Sequence, residues 1–79
     1  MILLHRVDPA RNMARFYVVA ITSDLFGDFA LERTWGRIGK RGQLMREWFE
    51  SRQEAAAARK RLVRSKQRRG YRIFREALR

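Results

Sequence analysis

The chain has 79 residues, which is enough for one domain, and its 46% hydrophobic content is ordinary for a globular protein. Nineteen Lys and Arg residues face eight Asp and Glu residues, and the resulting net charge of +11 favours a polyanionic partner, above all nucleic acid. The lack of cysteine excludes disulfides and thiolate metal sites, and no apolar run is long enough to span a bilayer. We therefore expect a cytoplasmic protein, with a nucleoid-associated location open, that uses no metal, cofactor or membrane.

The hydrophobic pattern predicts an α+β fold, with a mainly antiparallel sheet of four or five strands and one helix packed on it. We expect a single domain over residues 1–79, with its core at about 3–74. The second strand is rich in β-branched and aromatic residues with almost no polar interruption, which favours a central strand covered on both faces. The predicted strands lie at residues 2–7, 15–23, 29–35, 43–50 and 71–74.

A helix is predicted over residues 52–69. Ser51 and Glu54 have the spacing of a capping box, four consecutive alanines follow, and Gly70 is a natural residue to end the helix. The spacing of apolar positions predicts a buried stripe made of Ala55, Ala58, Leu62 and either Ala56 or the stem of Lys66.

One short segment combines an aromatic residue, cations and three glycines: Trp35-Gly36-Arg37-Ile38-Gly39-Lys40-Arg41-Gly42-Gln43. Glycines let the backbone approach a ligand, cations bind phosphates, and an aromatic ring can stack on a base or pack on a sugar. This pattern indicates nucleic-acid binding by Trp35, Arg37, Lys40 and Arg41.

Structural explanations of the same segment stay open. Trp35, at the end of an alternating strand, can be a core residue, and Arg37 can form an ion pair with Glu32 or Glu47. Gly39 and Gly42 also have the spacing of the KH-domain phosphate clamp, but the flanking helices of that fold are absent.

The predicted helix is the second basic feature. Eight cations lie between residues 59 and 72 with no acid among them. The alternatives are phosphate binding, a merely solvated basic face and, disfavoured by the alanine-rich apolar stripe, a membrane-surface helix. The candidate phosphate-binding residues here are Lys60, Arg64, Arg68 and Arg69.

The segment at residues 35–43 resembles the signature of WGR domains, a family known from DNA-dependent poly(ADP-ribose) polymerases and from small bacterial proteins. The resemblance continues in order over about residues 3–71, through Asn12 with Arg15-Phe16-Tyr17, Asp24-Leu25-Phe26-Gly27, Glu54-Ala55, and Lys66 with Arg69-Gly70-Tyr71. The motif positions with an expected structural role are Gly36, Gly39, Gly42, Gln43, Gly70 and Tyr71.

The resemblance implies a curved antiparallel sheet with one helix and a role in binding nucleic acid. In the polymerases the Trp of the motif packs against a sugar at a DNA end, and the Arg links the DNA site to neighbouring domains. The matching residues here are Trp35 and Arg37. The chain has no catalytic domain and no NAD-binding fingerprint, so we expect a free-standing domain that keeps the binding role and not the interdomain one.

No group of residues indicates an active site. His5 lies in a predicted strand without an acid partner, and no serine stands in a nucleophile-elbow context. We therefore predict a non-catalytic module that recognises DNA structure, such as ends or nicks. Docking on an acidic protein and binding of RNA, with an exposed Tyr71 or Trp48 for stacking, stay open as alternatives.

Overall fold

The computed structural model describes residues 1–77, which form one antiparallel sheet with one α-helix packed on it. The α-helix α1 (Arg52–Arg68) packs on one face of the sheet, and a short 3₁₀ helix (Pro9–Arg11) connects the first two strands. The predicted α+β fold is confirmed, with five strands in the spatial order β4-β3-β2-β1-β5. The strands are β1 (Ile2–Asp8), β2 (Met13–Ser23), β3 (Phe29–Arg37), β4 (Gln43–Phe49) and β5 (Arg72–Glu76).

Strand β2 lies at the centre of the sheet, but α1 covers only one of its faces. Tyr17 and Val19 are buried beneath the helix, whereas Phe16 and Val18, which point to the other side, are only half-buried. The prediction that β2 is covered on both faces is therefore wrong. On the uncovered side, which we call the open face, Phe16 and Val18 pair with His5 and Leu3 of β1.

The core lies between α1 and the covered face of the sheet. Ala55 and Val63 are the buried residues of α1, with Ala58 and Leu62 packed against the core at its margin. The predicted stripe thus identifies the correct side of α1 but omits Val63. The buried cluster consists of Ile2, Leu4, Tyr17, Val19, Leu31, Val63 and Tyr71.

Both ends of α1 follow from local sequence. The Ser51 hydroxyl accepts a hydrogen bond from the Glu54 backbone N–H at 3.1 Å. At the other end Gly70 adopts a positive φ of 97°, its N–H bonds to the Gln67 carbonyl, and the Tyr71 N–H bonds to the Lys66 carbonyl. This pair of bonds is a Schellman motif, and it fixes Tyr71 beside Lys66 at the edge of the core.

The described part of the chain contains no helix that combines the length and the apolar character needed to cross a membrane.

Candidate nucleic-acid interface

A groove of about 760 Å³ opens on the covered face, where the C-terminal half of α1 meets β2 and β3. We call it the aromatic groove. Aromatic rings and cations line it, and no acidic residue within residues 1–77 does so. Its lining residues are Arg15, Tyr17, Arg33, Trp35, Gly36, Arg37, Met45, Lys66 and Tyr71.

The register between β2 and β3 assembles the groove. Tyr17 pairs with Trp35 and Arg15 pairs with Arg37, and residues paired in an antiparallel sheet point to the same face. The Tyr17 and Trp35 rings are stacked, with centroids 5.9 Å apart and planes 17° apart. The two arginines lie at the next paired position on this face and bring two charges to the same end of the groove.

Lys66 reaches into the groove from α1. Its ammonium nitrogen lies 4.5 Å from the centre of the Tyr17 ring and 5.7 Å from that of Tyr71. Burial lowers the pKa of Lys66 below its usual 10.5, and the charges of Arg69 and Arg33 lower this pKa further. None of the ion pairs within residues 1–77 includes Lys66. The ammonium group therefore makes cation–π contacts with the two rings without a carboxylate partner, and its charge remains available to an anion.

Arg33 forms part of the groove wall and is incompletely satisfied. Its Nη2 atom lies 3.0 Å from the sulfur of Met45 and 4.0 Å from a carboxylate oxygen of Glu47. Its Nε atom is buried and has no hydrogen-bond partner among the described residues. A buried donor without a partner is costly, so this side chain favours a ligand or water that brings an acceptor into the groove.

Arg37 is positioned by neutral oxygens. Its guanidinium donates to the Asn12 backbone oxygen at 3.2 Å and to the Asn12 side-chain oxygen at 3.4 Å. The alternative of an ion pair with Glu32 or Glu47 is wrong, because Glu32 bonds to Arg46 and Glu47 faces the Arg33 guanidinium. The charge of Arg37 is thus oriented without being neutralised.

Two glycines of the motif are required by close packing. An added Cβ on Gly36 would lie 2.8 Å from the Gly42 Cα atom, and one on Gly42 would collide with the Trp35 carbonyl oxygen and the Phe16 ring. Gly42 also has a positive φ of 81°. The turn after β3 therefore folds back onto the Trp35 backbone. Gly39 lies at the exposed part of this turn, where an added Cβ meets nothing within 4 Å.

The candidate cations predicted from the sequence do not all lie together. Trp35 and Arg37 line the aromatic groove, whereas Lys40 and Arg41 lie in the exposed turn between β3 and β4. Arg69 is the C-cap residue of α1, three residues after Lys66, and its charge contributes to the lowered pKa of Lys66. Lys60, Arg64 and Arg68, which we call the helix row, line other clefts. Lys60 and Arg64 line a cleft of about 400 Å³ beside β5, and Arg64 and Arg68 line a third cleft.

The two predictions for aromatic residues resolve differently. Trp35 is half-buried, so it packs against the core and lines the groove at the same time. Tyr71 is buried, so the expectation that it is exposed for stacking on RNA bases is wrong. Trp48 is 57% exposed and lies on the open face.

The binding residues predicted from the sequence do not include the groove residues Arg15, Tyr17, Arg33 and Lys66. The signal for the first two lies in their spacing. Arg15 and Tyr17 alternate on one face of β2, as Trp35 and Arg37 do on β3, and one register brings the two pairs together. Lys66 lies on the side of α1 that carries the buried stripe. The turn at Gly70 then places the Tyr71 ring beside it.

A sheet of five antiparallel strands with one covering helix and a basic, aromatic groove defines a small binding module. The chain belongs to the WGR domain family, whose family model matches residues 1–77. WGR domains are in general nucleic-acid-binding modules.

The chain is also similar to an uncharacterized protein of Sinorhizobium fredii (strain NBRC 101917 / NGR234), y4dW, with 48% identity over 69 residues. The matched region covers 87% of this chain and 34% of the relative, so the chain spans about a third of that protein's length. No solved structure gives a significant match.

Proposed function

We propose that the protein binds DNA at ends or nicks, with the sugar of a terminal nucleotide packed on Trp35 and the adjacent phosphates bound by the cations of the aromatic groove. One observation carries the proposal: the stacked Tyr17 and Trp35 rings lie among four cations that belong to one groove. Within residues 1–77, Arg33 is the member of this set that has a carboxylate within 4.0 Å. The four cations are Arg15, Arg33, Arg37 and Lys66.

The Trp35 ring, which lines the aromatic groove, favours an end over continuous duplex. An aromatic ring in a groove contacts a sugar or base face only if that face is exposed. Inside a duplex each base is covered by its neighbours in the stack, and reaching it requires unstacking. An end or a nick interrupts the stack and exposes a terminal nucleotide without that cost.

Phosphate contacts supply most of the expected affinity. With about five phosphates neutralised on duplex DNA, log K should fall with log salt concentration with a slope of about −4 to −5. The net charge of +11 supports fast association with any polyanion, so discrimination between ligands depends on the groove.

The test is a titration of a fluorescent nicked duplex over a series of salt concentrations, with intact duplex and hairpin RNA as competitors. We expect tight binding of the nicked duplex that weakens steeply with salt. Intact duplex should be a poor competitor. Trp35→Ala should reduce the preference for the nick, and Arg37→Ala should weaken binding and lower the salt slope by about 1. Trp48→Ala, which removes an indole from the open face, is the matched control and should keep the preference for the nick.

Three results would contradict the proposal. A flat salt response would exclude phosphate binding as the main interaction. Stronger competition by hairpin RNA than by DNA would assign the groove to RNA. Partners from a cell extract that stay bound after nuclease treatment, together with no preference for the nick, would favour docking on an acidic protein.

A further inference from the structure

The open face carries a row of aromatic rings across three neighbouring strands. Phe16 of β2 lies opposite His5 of β1 in the strand register. The His5 ring stacks on Phe74 of β5, with centroids 4.3 Å apart and planes 26° apart. Phe74 is 62% exposed. We call Phe16, His5 and Phe74 the aromatic row.

Strand β5 places a cation on each side of Phe74. Arg72 pairs with His5 and Arg75 with Leu3, and a register shift between these pairs leaves Phe74 as the extra residue. Both arginines are exposed, and neither takes part in the ion pairs within residues 1–77. A cleft of about 610 Å³ runs beside the row, with His5, Arg72 and Phe74 among its lining residues.

The charge of this surface selects its ligand. An apolar segment of another protein would cover the rings but would leave Arg72 and Arg75 without a counter-charge. A single strand of nucleic acid offers both groups at once, because its unpaired bases present flat faces and its backbone carries a phosphate at each nucleotide. Aromatic side chains on neighbouring strands of an open antiparallel sheet suit stacking by successive bases.

We infer that the open face binds the unpaired nucleotides of a single strand, with bases stacked on the aromatic row and phosphates held by Arg72 and Arg75. The inference extends the proposed function, since it rests on the same class of ligand. The surface is different, because the aromatic groove lies on the opposite, helix-covered face of the sheet.

The test is a titration of labelled oligo(dT) and oligo(rU) with the protein and with variants of Phe74. Loss of one stacking ring in Phe74→Ala should weaken binding by about 5- to 150-fold. Phe74→Trp should retain the affinity because it keeps a flat ring, whereas Phe74→Leu should lose it although it stays apolar. The matched control is Phe26→Ala, which removes an 88% exposed ring at the tip of the β2–β3 hairpin and should change nothing.

A second variant tests the charge independently of packing. Arg72→Gln should lower the magnitude of the salt slope for oligo(dT) by about 0.7, the contribution of one phosphate contact on a single strand. Because Arg72 is exposed on the edge strand, this change should leave the melting temperature unaltered. Phe74-dependent binding of either oligonucleotide supports the inference, and the tighter ligand identifies the strand as DNA or RNA.

Equal affinities of Phe74→Ala and Phe26→Ala for both oligonucleotides would overturn the inference. So would full binding by Phe74→Leu, which would assign the face to an apolar contact. Failure here is distinct from failure of the proposed function, because the preference for nicked duplex depends on Trp35 and should persist in all the Phe74 variants. Conversely, the loss of oligo(dT) affinity caused by Phe74→Ala should be as large in a Trp35→Ala background as in the wild type.

Discussion

The ammonium nitrogen of Lys66 lies 4.5 Å from the centre of the Tyr17 ring, and no carboxylate shares this contact as an ion-pair partner within the described residues. The Lys66 side chain is partly buried, and this burial lowers its pKa. The charges of Arg69 and Arg33 lower the same pKa further. The fold thus holds a cation in a place where it is less favourable than in water. A phosphate bound in the aromatic groove, as we propose, would compensate that cost, and binding would then stabilise the folded domain.

The first prediction concerns the free energy of unfolding as a function of pH. Since the pKa of Lys66 is lowered in the folded state, the unfolded chain binds more protons at this site between the lowered pKa and 10.5. The contribution of Lys66 to stability should therefore rise with pH through that window, and its full cost should be present below it. Urea denaturation of the wild type and of Lys66→Gln at several pH values measures the difference. An identical pH dependence in both proteins would contradict this account of Lys66.

The second prediction concerns the affinity for nicked duplex at alkaline pH. Loss of the Lys66 proton removes a groove cation, so binding should weaken as pH rises toward 10.5 at constant salt. Lys66→Arg should resist this loss because a guanidinium stays protonated throughout the range. Lys60→Arg, on an exposed position outside the aromatic groove, is the matched control and should follow the wild type. If both variants follow the wild type, Lys66 does not contact the phosphate.

The third prediction compares two glycines of the motif. Both Gly39 and Gly42 have positive φ, so alanine at either position should cost about 1–2 kcal/mol of stability for the backbone conformation. Gly42→Ala should cost more than Gly39→Ala, because its Cβ also collides with the Trp35 backbone and the Phe16 ring. Urea denaturation curves give both values. Equal costs would show that the turn relaxes without strain.

The fourth prediction separates the aromatic groove from the row of cations on α1. Neutralising Lys60, Arg64 and Arg68 together as glutamines should weaken the binding of nicked and intact duplex by the same factor. Those side chains attract polyanions but line other clefts. The ratio of the affinities for nicked and intact duplex, measured by competition, should then equal that of the wild type. A selective loss for the nicked duplex would instead make the helix row part of the recognition surface.

Local sequence signals account for most of the fold. Each signal spans only a few neighbouring residues, so the elements follow from the pattern alone. These signals are the β-branched run of β2, the alternation along β3, the capping box at Ser51 and the helix end at Gly70. The face of β2 that stays open could not be predicted in this way. An unbroken apolar run is typical of a strand covered twice, whereas the single predicted helix can cover only one face, and the run itself does not indicate which face that is.

The candidate site is less predictable because it depends on register and on a turn. Trp35 and Arg37 are visible in the motif, but Tyr17 joins them only through its pairing across β2 and β3. The alternative of an ion pair for Arg37 fails because Glu32 pairs with Arg46 across the two strands and Glu47 lies close to Arg33. The sequence allows an ion pair of Arg37 with either Glu32 or Glu47, and the folded sheet places both glutamates beside other arginines.

The most direct test of the central claim is a map of the contact surface by two-dimensional NMR, with isotope-labelled protein titrated with nicked duplex. We expect the largest shifts at the Trp35 indole N–H, at the backbone of Gly36 and Arg37, and at the side chain of Lys66. Shifts concentrated instead on the outward row of α1 at Lys60, Arg64 and Arg68, with the Trp35 indole unchanged, would contradict the claim that the aromatic groove holds the DNA.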